Sequence, residues 1–243
     1  MGLLTMYYHD LPYMLIPPKH SWIPGLVILS CFFGALLVLA GACIVLKIKA
    51  RPIALLLGTV LLLIFIFYFI PYQFIVSPDY MHFGDWENAA KELALAGGAF
   101  VVAGSVPGKN DSPLIKYLSK LIPCGTILFA LMIISFGIDH FIYGKQAADY
   151  VPSWIPYRVA WIYVTGTALM ASGVAIIVKT RPALAASLLG AMILAWFIIL
   201  HIPRIIISPI AYMGSEITSA FIALAYSGIA FVIAGRRTTD HRP

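Results

Sequence analysis

Five stretches of this chain, residues 25–46, 53–76, 125–143, 157–178 and 183–207, run almost without charge. At ~1.5 Å per helical residue each is long enough to cross a ~30 Å hydrocarbon layer. That feature limits the fold more than any other. Backbone groups find no water in lipid, so a run of this kind satisfies its own hydrogen bonds as a helix. Two weaker runs, 87–105 and 215–235, open on polar residues and turn apolar, which brings the count to about seven transmembrane helices. Composition agrees: 61% of residues are hydrophobic and 11% charged, against roughly 25% charged in a soluble domain. The fold class is an all-α integral membrane protein.

Threading seven helices through a bilayer collects most Lys and Arg on one face. Lys47, Lys49, Arg51, Lys116, Lys120, Lys179, Arg181, Arg236 and Arg237 all fall there, and most acids fall on the other. The positive-inside bias then predicts that face to be cytoplasmic, with the N-terminus outside and the C-terminus inside. The formal charge of +6 is therefore an orientation signal, not a nucleic-acid patch. The first 21 residues lack the basic and apolar regions of a cleavable signal. Cys31 and Cys43, ~18 Å apart on one helix, are too distant for a disulfide. With Cys124 they read as small buried hydrophobes.

The phrase Ser-Trp-Ile-Pro occurs at 21–24 and again at 153–156, and other breakers repeat with it. Ala40-Gly41 meets Ser172-Gly173, Arg51-Pro52 meets Arg181-Pro182, Ile70-Pro71 meets Ile202-Pro203, and Ser77-Pro78 meets Ser208-Pro209. The chain reads as two tandem parallel repeats. The first, 1–106, has three transmembrane helices after a non-spanning lead-in. The second, 114–236, has four, and 237–243 is a cytoplasmic tail. Pro24, Pro52, Pro156 and Pro182 mark helix starts, and Trp22 and Trp154 suit the headgroup level. Gly34 with Gly41, and Gly166 with Gly173, form faces for close helix approach. Pro71 and Pro203 should kink or end the regular part of their helices.

In the second repeat, Gly137, His140, Phe141, Val151, Pro152, Trp154, Pro156, Gly166, Gly173 and Arg181 form a pattern that resembles the DoxX-like family of small bacterial membrane proteins. The likeness is good over about 114–236 and more distant over 18–106, where Tyr8 stands in the place of His140. It implies a four-helix bundle per unit in a bacterial inner membrane. Some relatives are membrane subunits of quinone-linked sulfur-oxidising enzymes, and others belong to oxidative-stress assemblies.

Ionisable residues within a membrane are costly, so each marks a functional hypothesis. Asp139, His140, His201, Arg204 and Glu216 cluster toward the outer side of the second unit and are expected to share a polar pocket with Trp154 and Tyr212. An Asp139–Arg204 pair would offset the desolvation of both. The same residues also read as plain helix-to-helix locks. Quinone or lipid binding, with His140 or His201 donating to a carbonyl oxygen, and haem held by His140 and His201 are the alternatives. In the first unit Glu87 and Lys91 are spaced as an i,i+4 pair on a helix start, and Asp85 occupies the place of Glu216.

Residues 215–235 hold no lysine for a retinal chromophore, and nucleotide-loop, serine-hydrolase and zinc-protease motifs are absent. Dispersed acids and histidines give no metal site. The expected function is an accessory membrane subunit of a respiratory or redox assembly, partnered by lipid and other membrane subunits. The alternatives are a quinone-interacting oxidoreductase subunit and a lipid or small-molecule carrier.

Overall fold

The computed structural model describes residues 1–11, 25–77, 86–108, 111–208 and 214–236, and every described element is helical. A short α1 (Gly2–Tyr8) precedes α2 (Leu26–Val45), α3 (Ala50–Ile75), α4 (Glu87–Ser105), α5 (Pro113–Ile142), α6 (Arg158–Ile177), α7 (Pro182–Ile207) and α8 (Ser215–Gly235). Six of these, all except α1 and α4, are long and apolar enough to cross a membrane. The chain is a helical, multi-pass membrane protein. The first Ser-Trp-Ile-Pro, with Trp22 and Pro24, lies outside the described residues, as do Asp85, Pro209, Tyr212 and 237–243.

The helix α4 carries Glu87, Lys91 and Glu92, yet it is the most enclosed of all. Ten of its nineteen residues are buried, nearly all of them Ala, Gly or Val. Small side chains let α3, α5 and α8 close around it. At the α4–α5 crossing, a Cβ on Gly97 would lie 2.7 Å from Gly125 O, and one on Gly125 would lie 2.7 Å from Gly97 O. The end of α4 leaves carbonyls that no helical N–H reaches. Two arginines gather at this end: Arg51 Nη1 donates to Ala103 O and to Val106 O just past the helix, both at 3.1 Å, and Arg236 Nη2 donates to Val101 O one turn earlier. Arg51 Nε also reaches Asp111 at 3.1 Å. The largest core cluster gathers Phe129, Met132, Ile133, Leu189, Tyr226 and Ile229 from α5, α7 and α8.

The same turn is built twice. After α2, Lys47 and Lys49 adopt left-handed φ of 59° and 46°, and after α6, Lys179 and Arg181 adopt 58° and 45°. In both, the first of these residues bonds the carbonyl three back and the next residue bonds the carbonyl five back. Lys49 is thus the counterpart of Arg181, two residues ahead of the Arg51 chosen from sequence. Matching on Arg-Pro misled because the turn is fixed by backbone shape, not by the proline. Pro182 does open α7, but Pro52 is the third residue of α3, and Pro156 stands two residues ahead of α6.

Two prolines also share one solution. A π turn, Phe65–Phe69 in α3 and Phe197–His201 in α7, ends just before Ile70-Pro71 and Ile202-Pro203. Ile70 N–H bonds Phe65 O and Ile202 N–H bonds Phe197 O, each five residues back. Proline has no N–H for the normal ladder, and the wide turn absorbs the break. The cysteines are free, Cys31 and Cys43 half-buried and Cys124 exposed, so they are less enclosed than expected.

A two-chambered cavity in the second half of the chain

Helices α5, α6, α7 and α8, with the start of α4, enclose two adjoining cavities. An inner chamber of about 290 Å³ is walled by Ile133, Phe136, Ile162, Leu169, Met192, Trp196 and Tyr226. An outer vestibule of about 690 Å³ is polar, lined by Asp139, Tyr143, Gln146, Tyr150, Arg204, Ser215 and Glu216. Glu87, Lys91, Phe136, His140, Leu200, His201 and Ser219 line both and form the neck.

Of the residues expected from sequence, Asp139, His140, His201, Arg204 and Glu216 come together here. Trp154 does not: it is 72% exposed in the loop before α6 and lines neither chamber. Tyr212 lies outside the described residues. The expected Asp139–Arg204 pair is replaced by another. Arg204 Nε donates to Glu216 Oε2 at 2.8 Å and its Nη2 to Oε1, a two-pronged contact across α7 and α8. The guanidinium also stacks 4.3 Å from the Tyr150 ring centre. Glu216 won because it opens α8, the helix packed directly against α7.

The neck holds two groups that sequence reading assigned to the first unit. The i,i+4 pair Glu87–Lys91 forms as expected, at 2.7 Å, but α4 carries it into the second unit's cavity. Tyr226 O–H donates to Lys91 O at 3.0 Å and ties α8 to α4. Trp196 Nε1–H donates to Thr165 Oγ1 at 3.1 Å, tying α7 to α6. The only signal for Trp196, Thr165 and Tyr226 was their being polar-tipped side chains in apolar runs.

His140 Nδ1 lies 2.7 Å from Phe136 O. A carbonyl oxygen only accepts, so Nδ1 carries the proton and, in the neutral ring, Nε2 presents a lone pair. The backbone beside it is tightly set: a Cβ on Gly166 would lie 2.7 Å from His140 Cβ and 3.0 Å from Gly137 O. In the first half Gly34 meets Gly2 O, Met6 and Thr5 in the same way. Thr5, not Tyr8, therefore stands where His140 does, and its Oγ1 donates to Met1 O, again four residues back.

Asp139 Oδ1 and His201 Nδ1 are buried without hydrogen-bond partners. Glu92 also has both oxygens buried and unpartnered, but it lines neither chamber. No group of three metal-ligating side chains occurs among the described residues. A quinone head offers two carbonyl oxygens and needs donors. Here the strong donors Arg204, Lys91 and Trp196 already have acceptors, and Asp139 Oδ1 and His140 Nε2 accept. The remaining N–H groups of Arg204 and the one N–H of a neutral His201 are the donors left for a quinone oxygen.

Comparison with known families finds a match over part of the chain. Residues 129–206 match a domain of unknown function, DUF8561. The match runs from the middle of α5 to the end of α7 and includes Asp139, His140, His201 and Arg204. No curated protein and no solved structure matches the chain.

Proposed function

We propose that this chain is an accessory subunit of a larger bacterial inner-membrane assembly that shelters one amphipathic molecule in its second unit. Its two tandem parallel units are DoxX-like, and its N-terminus faces outward. The observation that carries the ligand part is the joined cavity, an apolar chamber opening through His140 and His201 to a charged vestibule. Pockets for small ligands have this character, mostly apolar with a few placed polar groups, and commonly measure ~300–1,000 Å³. The matched turns, π turns and glycine contacts support the repeat. The cationic residues Lys47, Lys49, Lys179 and Arg181 in those turns support the orientation.

One observation favours the subunit part. Gly173 on α6 packs against Ala130 O and Ile134 of α5, whereas at Gly41 on α2 an added Cβ would meet nothing within 4 Å among the described residues. The short α1 covers only the Gly34 end of that face, so a neighbour's helix has room beside Gly41.

Native mass spectrometry of the chain, gently extracted from its own membrane, tests both parts. A bound amphiphile that disappears in Ala223→Phe, which fills the chamber, is expected, together with partner subunits at fixed stoichiometry. An extracted chain without amphiphile refutes the cavity reading, and one without partners refutes the subunit reading.

A further inference from the structure

The polar atoms of the vestibule indicate the head of the amphiphile, and this inference rests on the cavity reading above. Each strong donor already has a partner within the site: Arg204 with Glu216, Lys91 with Glu87, and Trp196 with Thr165. Two acceptors remain: Asp139 Oδ1, buried and unpartnered among the described residues, and the Nε2 lone pair of His140. Charge points the same way. Three acids, Glu87, Asp139 and Glu216, face two bases, Lys91 and Arg204, and each base is paired with an acid other than Asp139. Lys91 and Glu87 act on Asp139 through space with opposite signs, and neither is its hydrogen-bond partner. The aromatic walls also suit cations: Lys91 lies 5.8 Å from the Phe136 ring centre and Arg204 lies 4.3 Å from that of Tyr150.

We propose that the vestibule takes a protonated amine, a lipophilic ammonium whose N–H groups reach Asp139 Oδ1 and the free Nε2 of His140. Its hydrocarbon tail enters the chamber between Ile133, Leu169, Met192 and Trp196. An alcohol of the same length satisfies an acceptor but leaves the charge of Asp139 unmatched. A carboxylate meets Asp139 with like charge, and selectivity comes as much from that repulsion as from the attraction.

The test is calorimetric titration of the full chain in non-ionic detergent with dodecylamine, dodecanol and dodecanoate, subtracting partition into protein-free micelles. Dodecylamine should bind at least tenfold tighter than dodecanol, a difference of about 1.4 kcal/mol, and dodecanoate should not bind. Asp139→Asn should erase the preference for amine over alcohol while dodecanol still binds, and Asp139→Glu should keep the preference. Dodecanol or dodecanoate binding as tightly as dodecylamine overturns the ammonium assignment and leaves the cavity reading standing. So does an unchanged preference in Asp139→Asn. Saturable binding by none of the three overturns both.

Discussion

The α4–α5 crossing offers a sharp test of how this bundle is held. In Gly97→Ala the new methyl would sit 2.7 Å from Gly125 O and 2.9 Å from Phe129 N. Ordinary contact begins near 3.4 Å, so the two helices must part by about 0.7 Å. The obstacles are backbone atoms, which no rotamer change can move aside. Overpacking of this kind costs ~1–3 kcal/mol, while replacing Gly by Ala inside a helix returns about 1 kcal/mol. A net loss of roughly 1–2 kcal/mol is expected, because Phe129, Met132 and Ile133 in the main core ride on α5. Gly41→Ala is the matched control. It makes the same chemical change in a helix interior with nothing within 4 Å among the described residues, and should be neutral or slightly stabilising. Thermal unfolding of both variants in one detergent, followed by fluorescence-detected size exclusion, gives the comparison. If Gly97→Ala melts with Gly41→Ala, the close crossing is not what stabilises α4.

Three further outcomes follow from other contacts. Glu216→Gln strips the anion from the Arg204 fork. Because both partners are partly exposed, the loss should be roughly 1–2 kcal/mol, less than the 3–5 kcal/mol of a fully buried pair. Arg204→Met combined with Glu216→Gln should recover part of it in the same melting assay. Arg51→Lys should lower stability by about 1 kcal/mol or more, since a single ammonium cannot span Asp111, Ala103 O and Val106 O as the planar fork does. Gly41→Leu should leave the melting of the isolated chain unchanged but remove a partner subunit from the native mass spectrum. Partners retained at full stoichiometry would exclude that face as their docking site.

The long helices were legible because apolar length alone sets them, and expected and observed ends agree closely for α2, α6, α7 and α8. Hydrophobicity was a poorer guide to α4. Its ends at 87 and 105 were found, but its three charged residues weakened the signal and its central position was not read from the sequence. Within the site, sequence found which ionisable groups gather at one end of the second half, because charges are rare in these runs and each one stands out. It could not choose the partner of Arg204, since Asp139 and Glu216 are equally acidic and only packing decides which of them faces α7. The Glu87–Lys91 pair was visible from its spacing, yet spacing within one helix says nothing about which neighbour that helix leans on. Trp154 was placed in the pocket on the strength of its motif, but it sits in a loop that turns it outward.

The π turn at Phe197–His201 sets the aim of the site by residue count. A regular helix rotates ~100° per residue, so one surplus residue swings everything after it by about that angle. Arg204 meets Glu216, and His201 meets the neck, in the register that this surplus creates. The two π turns, Phe-Ile-Phe-Tyr-Phe and Phe-Ile-Ile-Leu-His, share only their first two residues and their length. The turn thus forms from two different sets of side chains, but losing a single residue from it would turn the arginine off its carboxylate and uncouple α7 from α8.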